Sequence, residues 1–331
     1  MKTLRLGLII VGCVLCFAGC QDAGSSQQDN WLLVSFEKDV PVTYRMISER
    51  ATEIDLTTGN PEKKSRPQTT KEKLELVMVY TPVEVDPFGL STLEVQCLSV
   101  KATRSAFSGK KNTADTMETL TGKSFILKLT PTGEIADISD LERVAKELGA
   151  ASFSKGKQNM RIKNPDMIND FLAMQRYLWA ASSTISNQLD LAVGDTWQAQ
   201  QSIPWPVPIY PPPARTTTYT LENIQSEEGL PRKATLNSVY TLSETPIEEY
   251  IRPYEEGKFQ MRGLFGFLRN FQFKHMEGTG TQIFNMDDGL VESDTQQYRL
   301  DVTANFMLPL GDSLPVLTVD QKILIERIET P

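Results

Sequence analysis

Ser152 and Lys155 have a spacing that could support covalent catalysis. They match the Ser-x-x-Lys arrangement, in which a lysine lowers the pKa of a serine nucleophile. The Ser-Asp-Asn and Lys-Thr-Gly motifs that accompany this arrangement in acyl-transfer enzymes are absent from the sequence. The chain also has one histidine, His275, which excludes a metal site built on several histidines. We therefore expect no catalytic residue, no metal site and no cofactor, and a hydrolase that uses Ser152 and Lys155 is the least favoured function.

Two further motifs are similar to binding sites but lack essential parts. The motif Gly122-Lys123-Ser124 is similar to the end of a phosphate-binding P-loop, but Met117 stands where that loop requires its first glycine. The motif also leads into a predicted strand, whereas a P-loop leads into a helix. Asp287 and Asp288 have carboxylates that could contact calcium, but no EF-hand spacing follows them. We interpret this acidic pair as a solvated turn.

Four phenylalanines in the last third of the chain are the strongest candidates for a binding surface. An alternating pattern places them on one face of a strand, while Leu264, Leu268, Asn270 and Gln272 fall on the other face. The simpler interpretation is that the four side chains face the ordinary core. The alternative is that they line an apolar cavity between a curved sheet and the helices, which holds an acyl chain or another apolar ligand. The four residues are Phe265, Phe267, Phe271 and Phe273.

The first residues of the chain have the parts of a secretory signal. A basic start, Met1 to Arg5, precedes an apolar run from Leu6 to Ala18 and then Gly19 and Cys20. The apolar run has about a dozen residues, whereas a membrane-spanning helix needs about 20. The pattern predicts a signal peptide over residues 1–19. An uncleaved anchor and an ordinary secreted protein cut nearby are the alternatives.

The residues Phe17-Ala18-Gly19-Cys20 resemble the lipobox of bacterial lipoproteins, with Phe17 in place of the usual leucine. The resemblance implies that the Cys20 thiol is lipidated, that the signal is cut before Cys20, and that the new amino group is acylated. Such acyl chains would anchor the protein to a membrane, since each buried methylene contributes about 0.8 kcal/mol. Gln21 stands where an aspartate favours retention in the inner membrane of double-membrane bacteria. We therefore expect an outer-membrane anchor facing the periplasm, with the inner membrane as the alternative.

Charge and cysteine content limit the partners that the chain can have. The 331 residues have a formal net charge of −8, which becomes −10 once the two basic residues of the signal are removed. An acidic chain has no electrostatic attraction for nucleic acid. After loss of the signal and lipidation of Cys20, Cys97 is the one remaining cysteine, so an intramolecular disulfide is excluded. Because Cys97 alternates with polar residues in a predicted strand, we interpret it as a small buried apolar side chain.

The rest of the chain has the pattern of an α+β protein. Residues 20–30 contain the lipidated cysteine and a small, polar segment that predicts a flexible tether. Alternating strand segments recur beyond it, clearly so from Leu74 to Tyr80. Two helices interrupt them: Ser139 is the predicted N-cap of the first, which ends at Gly149, and Asn164 is the predicted N-cap of the second, which runs to about Ser182. The wide apolar face of the second helix predicts burial on more than one side. We predict one or two curved antiparallel sheets with a few covering helices. The segment from Pro204 to Pro213 predicts an extended surface loop, because proline has no amide donor for a sheet.

Two glycine pairs indicate an internal repeat. Gly122 precedes Gly133 by the same distance that separates Gly278 from Gly289, and each pair brackets a strand and a turn. This similarity predicts two related β-rich units. The first unit, residues 31–190, ends in the helices, and the second covers residues 191–331.

The body of the chain resembles uncharacterised secreted lipoprotein families, in which a Val-Gly-Asp-Thr-Trp-like segment follows a helical linker; that segment runs from Val193 to Trp197. The resemblance covers about half of the chain and implies no site residues. A curved sheet covered by helices is also similar to the half-barrel carriers and sensors of bacterial envelopes. We hypothesise that the protein is a non-catalytic, lipid-anchored envelope protein that binds an apolar ligand or a partner protein. The alternative is a structural or assembly lipoprotein without a ligand pocket.

Overall fold

Antiparallel strands dominate the structure, a computed structural model that describes residues 30–55, 67–105, 115–185, 191–306 and 315–329. The predicted signal peptide over residues 1–19 and the predicted lipidation site, Cys20, lie outside the described residues. Within the described ranges, the chain forms a large curved sheet, a small sheet and two α-helices. This confirms the predicted α+β class and the predicted antiparallel sheet with covering helices.

The strands and helices are numbered in chain order. The strands are β1 (Val42–Asp55), β2 (Gln68–Val85), β3 (Ser91–Ser105), β4 (Ser124–Leu129), β5 (Ile135–Asp137), β6 (Phe153–Lys155), β7 (Arg161–Lys163), β8 (Thr196–Ser202), β9 (Ala214–Gln225), β10 (Lys233–Leu242), β11 (Gln260–Met261), β12 (Leu268–Asn285), β13 (Leu290–Phe306) and β14 (Val316–Ile328). The helices are α1 (Ser139–Ala151) and α2 (Ile168–Ser183), and short 3-10 turns lie at Thr116–Leu120, Lys157–Asn159 and Leu264–Phe267. Among the described residues, eleven strands form the large sheet in the order β5-β4-β3-β2-β1-β14-β13-β12-β10-β9-β8, and β11, β7 and β6 form the small one.

The long strands form because inward and outward side chains alternate along them. In β2, Leu74, Leu76 and Met78 are buried, while Glu75 and Val77 between them are partly exposed. The alternation predicted for this segment is therefore confirmed. The same period on neighbouring strands builds one continuous core on the inner face of the large sheet.

β1 and β14 join the first and last parts of the chain. They pair antiparallel from Thr43 with Ile328 to Asp55 with Val316. Because β1 also pairs with β2, and β14 with β13, strands from residues 31–190 and from residues 191–331 share one sheet. The division of the chain into two related units stays a prediction.

Helix α2 lies against the inner face of the large sheet. It contacts β2, where Tyr80 Oη donates to Gln175 Oε1 at 2.7 Å, and β8, where Tyr177 Oη donates to the Ser202 carbonyl at 2.5 Å. Since β2 and β8 are far apart in the strand order, the sheet must curl around the helix. The curled sheet is open, because its edge strands β5 and β8 are not paired with each other. Side chains on almost every side of α2 are buried, as its wide apolar stripe predicts.

The ends of α1 differ from the sequence prediction. The N-cap is Ile138, which makes no side-chain cap hydrogen bond, so the predicted cap at Ser139 is wrong. Gly149 lies inside the helix instead of ending it. A Cβ at Gly149 would lie 1.7 Å from the Pro253 carbonyl oxygen, so the glycine allows the backbone of a neighbouring loop to approach the helix.

Helix α2 begins at Ile168, so the predicted cap at Asn164 is wrong. The cause is Asp166, whose carboxylate forms an ion pair with Lys163 and accepts a hydrogen bond from Tyr254 Oη at 2.6 Å. These buried contacts hold the chain before α2 in a non-helical conformation. Neither α-helix of the described ranges is long and apolar enough to cross a membrane.

The segment from Pro204 to Pro213 has no strand, as its prolines predict, but its predicted surface location is wrong. Pro204, Trp205 and Pro206 at its start are buried, and most of its other residues are partly buried. Asn169 Nδ2 of α2 donates to the Trp205 carbonyl at 2.6 Å. The burial follows from the apolar side chains between the prolines, which pack against α2 and against the start of β12.

Candidate functional site

The open seam between the edge strands β5 and β8 contains a groove of about 610 Å³. Residues within the segments 133–138, 176–184, 199–202 and 247–250 line it, and we call it the seam groove. Small-molecule sites have volumes of roughly 300–1,000 Å³. The seam groove is therefore large enough for a small ligand.

One stripe of α2 faces the seam. Asn169, Arg176 and Ser183 are partly exposed, whereas most other residues of α2 are buried. These three residues recur every seven positions, so they lie on one face of the helix. Arg176 and Ser183 line the seam groove. The stripe thus places one charged side chain in the groove.

Arg176 is the cation of the seam groove. Its Nη1 donates to the Glu249 carbonyl at 3.1 Å, and among the described residues no carboxylate lies within ion-pair distance of its guanidinium. Burial lowers the pKa of Arg176, and the more distant charge of Glu249 only partly opposes this effect. An acidic group in the groove would therefore gain a charge-assisted hydrogen bond.

The seam groove also has apolar walls. Ile135 and Ile138 line it from the β5 side, Ile247 from the opposite segment and Ala180 from α2. These side chains come from segments far apart in the sequence. Glu134, Glu248 and Glu249 also lie in the lining, so an acidic ligand group is favoured only beside Arg176. A ligand with an apolar part and an acidic group placed at Arg176 matches the apolar walls and the cation.

A row of polar side chains crosses the inner face of the large sheet, and we call it the polar belt. Strand pairing places its members opposite one another on β3, β2, β1, β14, β13 and β10, with Gly278 of β12 completing the row. All members except the first are at least nine-tenths buried. The polar belt consists of Arg104, Glu72, Arg50, Gln321, Tyr298 and Tyr240.

Charges at one end of the polar belt are paired. Arg50 Nη2 donates to Glu72 Oε2 at 2.7 Å, and Arg104 contacts the other oxygen of Glu72. Burial opposes ionisation of Glu72, but the charges of Arg50 and Arg104 outweigh it and lower the pKa of Glu72 to about 2. Asp115 also accepts a hydrogen bond from Arg104 Nη2 at 3.0 Å. Buried ions are tolerated when they are paired in this way.

Arg215, beside the other end of the polar belt, is fully buried without an ion pair among the described residues. Its guanidinium lies 4.1 Å from the ring centre of Tyr177 and 4.2 Å from that of Tyr240. Its Nε donates to Gln201 Oε1 at 2.8 Å, and its Nη2 donates to Gln296 Oε1 at 2.7 Å. Aromatic faces and amide oxygens thus take the place of a carboxylate.

Three buried polar atoms near the belt have no hydrogen-bond partner in the described part of the chain: Arg215 Nη1, Tyr298 Oη and Gln321 Oε1. The inner face of the central strands therefore carries a polar row among its apolar core residues, and α2 covers it. An apolar ligand would find a better surface in the seam groove than against these central strands.

The four predicted phenylalanines do not share one face of a strand. Leu264–Phe267 is a 3-10 turn, so the alternation begins only at Leu268, and Phe267 is 59% exposed. The other three rings surround Trp205, with centroid distances of 5.8 Å for Phe265, 5.5 Å for Phe271 and 5.2 Å for Phe273. Trp205 also lines a cavity of about 40 Å³, whose described lining includes none of the four phenylalanines. None of these aromatic residues lines the seam groove, but the cavity beside Trp205 shares Arg176, Ser202 and Tyr250 with it.

The other motif residues lie in separate places. Ser152 is buried at the end of α1, where its Oγ donates to the Gly149 carbonyl at 2.7 Å, and Lys155 is exposed. His275 is exposed beside Glu277 on β12. Among the described residues, no group of three or more His, Cys, Asp and Glu side chains could hold a metal ion.

Cys97 and the acidic pair agree with their sequence interpretations. Cys97 is buried in β3, and burial raises the pKa of its thiol to about 12. Asp287 and Asp288 lie in the turn between β12 and β13. Arg232 Nε donates to Asp287 Oδ1 at 2.8 Å, and Arg327 pairs with Asp288, so arginines already occupy both carboxylates.

Sequence reasoning missed Arg176 and the polar belt. A weak signal exists in β14, where Gln321 interrupts an inward row that continues with Ile323 and Ile325. A polar residue in an apolar row indicates a buried partner on a neighbouring strand. The partner itself depends on the pairing of β14 with β1, which a single sequence does not show.

Comparison with known proteins adds a family match to this geometry. Residues 96–230 match a family of unknown function (DUF6263). The matched segment contains both α-helices, Arg176 and Arg215. No curated protein matches the sequence.

A structure described as "Lipid-protein interactions in lipovitellin" is similar to the chain over 90% of its length, with 10% sequence identity and a TM-score of 0.42. The chain spans 26% of that lipovitellin chain.

Proposed function

We propose that the protein is a non-catalytic, lipid-anchored protein of the cell envelope that binds an amphipathic ligand in the seam groove. The observation that carries this proposal is Arg176, a half-buried cation without a carboxylate partner among the described residues, beside apolar walls. The ligand class is an apolar chain with an acidic group, such as a long-chain fatty acid.

The chemistry of the groove supports this ligand class. An ionised carboxylate would accept hydrogen bonds from the Arg176 guanidinium, which is already partly desolvated. The apolar chain would cover Ile135, Ile138 and Ile247. Each buried methylene contributes about 0.8 kcal/mol, so chain length sets much of the affinity.

The anchor is the second part of the proposal. The lipobox-like residues before Cys20 support acylation of that cysteine, and Gln21 supports sorting to the outer membrane, with the body facing the periplasm. Acyl chains on Cys20 would hold the protein at a lipid surface, where amphipathic ligands are concentrated.

The ligand proposal is tested by binding of a fluorescent long-chain fatty acid and of its methyl ester to the purified protein. We expect Arg176→Gln to weaken binding of the acid by about tenfold or more and to leave the ester unchanged. Arg143→Gln, on the exposed face of α1, is the matched control and should change neither affinity. Equal affinities of the wild type for acid and ester, or no binding of either, would contradict the proposal.

Acylation is tested separately by the intact mass of protein extracted from cell membranes. We expect the mass of a chain that begins at Cys20 and carries acyl groups. The variant Cys20→Ser should lose these groups. An unmodified Cys20 in the wild type would contradict the anchor but not the ligand site.

The second candidate function is binding of a partner protein along the seam. The edge strands β5 and β8 flank the groove, and an edge strand presents backbone groups to which another chain can add a strand. A photo-crosslinker at exposed Gln198 of β8 should then capture one envelope protein, whereas the same crosslinker at exposed Glu94 of β3, which is paired on both sides, should not. Equal capture at both positions would contradict partner binding at the edge.

A further inference from the structure

One end of the large sheet is crossed by the segment with which the described structure begins. β1 and β3 begin at this end, and β2, β4 and β14 finish there. The Leu191 amide donates to the Asn30 carbonyl at 3.1 Å, the Val34 amide to the Pro131 carbonyl at 2.7 Å, and the Ser35 amide to the Gly289 carbonyl at 3.2 Å. Residues 30–36 therefore run across the turns of this end, which we call the tether end.

The crossing segment has one face inward and one face outward. Leu32, Val34 and Phe36 are buried in the core, whereas Trp31 and Leu33 between them are each 39% exposed. This alternation is the period of an extended chain. It leaves two large apolar side chains on the outer surface of the tether end.

Other exposed apolar side chains surround this segment. Phe88, in the turn between β2 and β3, is 87% exposed, and Val40 is also exposed. Contacts of neighbouring residues place these side chains near the crossing segment. A Cβ at Gly89, the residue after Phe88, would lie 2.8 Å from Pro131 Cγ, and the Pro131 carbonyl accepts from Val34. The Asp39 amide, just before Val40, donates to the Pro82 carbonyl at 2.9 Å. The tether end thus carries an apolar surface that consists of Trp31, Leu33, Val40 and Phe88.

We propose that this apolar surface docks on the lipid bilayer that holds the anchor. The inference rests on the proposed acylation of Cys20. Between Cys20 and Asn30 the chain spans at most about 36 Å when fully extended, so the tether can bring the surface to the bilayer. Trp31 is suited to the interface, because tryptophan concentrates at the level of the headgroups. Phe88 is suited to the apolar face that enters the boundary between headgroups and acyl chains. The protein then rests on the membrane in one orientation.

Charge at the tether end selects the kind of lipid. Glu37, Asp39 and Asp86 lie in the segment and turns that surround the apolar surface, and they outnumber Lys38, the one cation of residues 30–40. Acidic side chains repel anionic headgroups. The docking surface therefore fits a bilayer of zwitterionic lipids, and anionic lipid weakens docking.

Tryptophan fluorescence tests the docking directly. The four tryptophans of the chain all lie in the described ranges, and Trp179, Trp197 and Trp205 are at least nine-tenths buried, so Trp31 is the one that a bilayer can reach. The protein, expressed from the full chain and purified from membranes, is reconstituted with zwitterionic vesicles whose acyl chains carry bromine. We expect the bromine to quench the tryptophan fluorescence of the wild type. The variant Trp31→Phe should lose this quenching, and anionic lipid in the vesicles should reduce it.

Two variants separate docking by this surface from non-specific adsorption to the vesicles. Phe88→Ser should weaken the quench of Trp31, whereas Phe267→Ser, which removes an exposed aromatic side chain at the opposite end of the sheet, should not. Equal quenching of the wild type and Trp31→Phe, or no quench at saturating vesicle concentration, would overturn the docking proposal. Co-flotation with vesicles and the intact mass report the anchor independently. If Cys20 is unmodified and Trp31 is still quenched, the protein has the docking surface without the proposed acylation.

Discussion

Arg50 of β1 and Asp170 of α2 form an ion pair in the core, with Arg50 Nη1 donating to Asp170 Oδ2 at 3.2 Å and each side chain only 1% exposed. Asp170 also accepts from Ser48 Oγ at 2.7 Å. Gln321 Nε2 of β14 donates to Ser48 Oγ at 2.6 Å. A single carboxylate thus joins the helix inside the curled sheet to two neighbouring central strands.

Asp170→Ala is expected to destabilise the protein by about 3 kcal/mol. The substitution removes the acceptor of the Ser48 hydroxyl proton and one carboxylate partner of the Arg50 guanidinium, and removing one member of a buried pair costs about 3–5 kcal/mol. The lower end applies because Arg50 keeps its contact with Glu72. Urea unfolding followed by circular dichroism measures the change. The control is Glu142→Ala, which breaks an exposed pair with Lys146 and should cost at most about 0.5 kcal/mol.

Asp294 is expected to make the protein less stable as the pH rises from about 4 to 6. Burial raises the pKa of this carboxyl to about 6, although hydrogen bonds from Gln296 and Gln282 and the charge of Arg215 oppose the shift. The folded protein therefore holds a proton that the unfolded chain releases near pH 4, and the stability from this proton is lost above pH 6. A shift of about 2 pH units corresponds to about 3 kcal/mol.

Asp294→Asn isolates this effect, because an amide does not titrate but can still accept from Gln296. The difference in free energy of unfolding between Asp294→Asn and the wild type should grow in favour of the variant between pH 4 and 7. Ionisation of Glu72 changes the free energy of unfolding in the opposite direction and at lower pH, because the pKa of Glu72 is lowered to about 2. A difference that stays constant over this pH range would contradict the raised pKa of Asp294.

Local patterns in the sequence predicted the fold class because they depend on near neighbours. The alternation from Leu74 to Tyr80 predicted a strand, and the apolar positions of α2 predicted a helix buried on more than one side. The predicted N-caps of both helices were wrong, and at α2 the reason is tertiary. Asp166 is held by Lys163 and Tyr254, and such distant contacts override the local capping preference of Asn164.

The polar belt could not be predicted in the same way, because its members meet only through the register of strand pairing. Arg50 lies opposite Glu72 on one side and Gln321 on the other, and the second pairing spans most of the chain. Arg176 could not be predicted either, because nothing in the helical pattern around it marks it as a site residue. Its position in the seam depends on how far the sheet curls around α2.

Gly149→Ala is expected to destabilise the protein by about 2 kcal/mol, although alanine is the better helix former. The added Cβ would lie 1.7 Å from the Pro253 carbonyl oxygen, so helix or loop must move. Thermal unfolding measures the change. Ala150→Gly, at the next and exposed position, reports helix propensity alone and should cost about 1 kcal/mol. A stabilised Gly149→Ala variant would show that the loop at Pro253 adjusts freely.

Tyr298→Phe and Tyr44→Phe are expected to have different effects on stability, although each removes one hydroxyl from a buried tyrosine. Tyr298 Oη has no hydrogen-bond partner among the described residues, so its loss should leave stability unchanged or raise it by up to about 1 kcal/mol. Tyr44 Oη donates to the Val291 carbonyl at 2.9 Å, so its loss should cost about 1 kcal/mol. Chemical denaturation of both variants at pH 7 gives the comparison. An equal loss of stability in the two variants would mean that Tyr298 Oη has a partner, most simply an ordered water molecule bound to the polar belt.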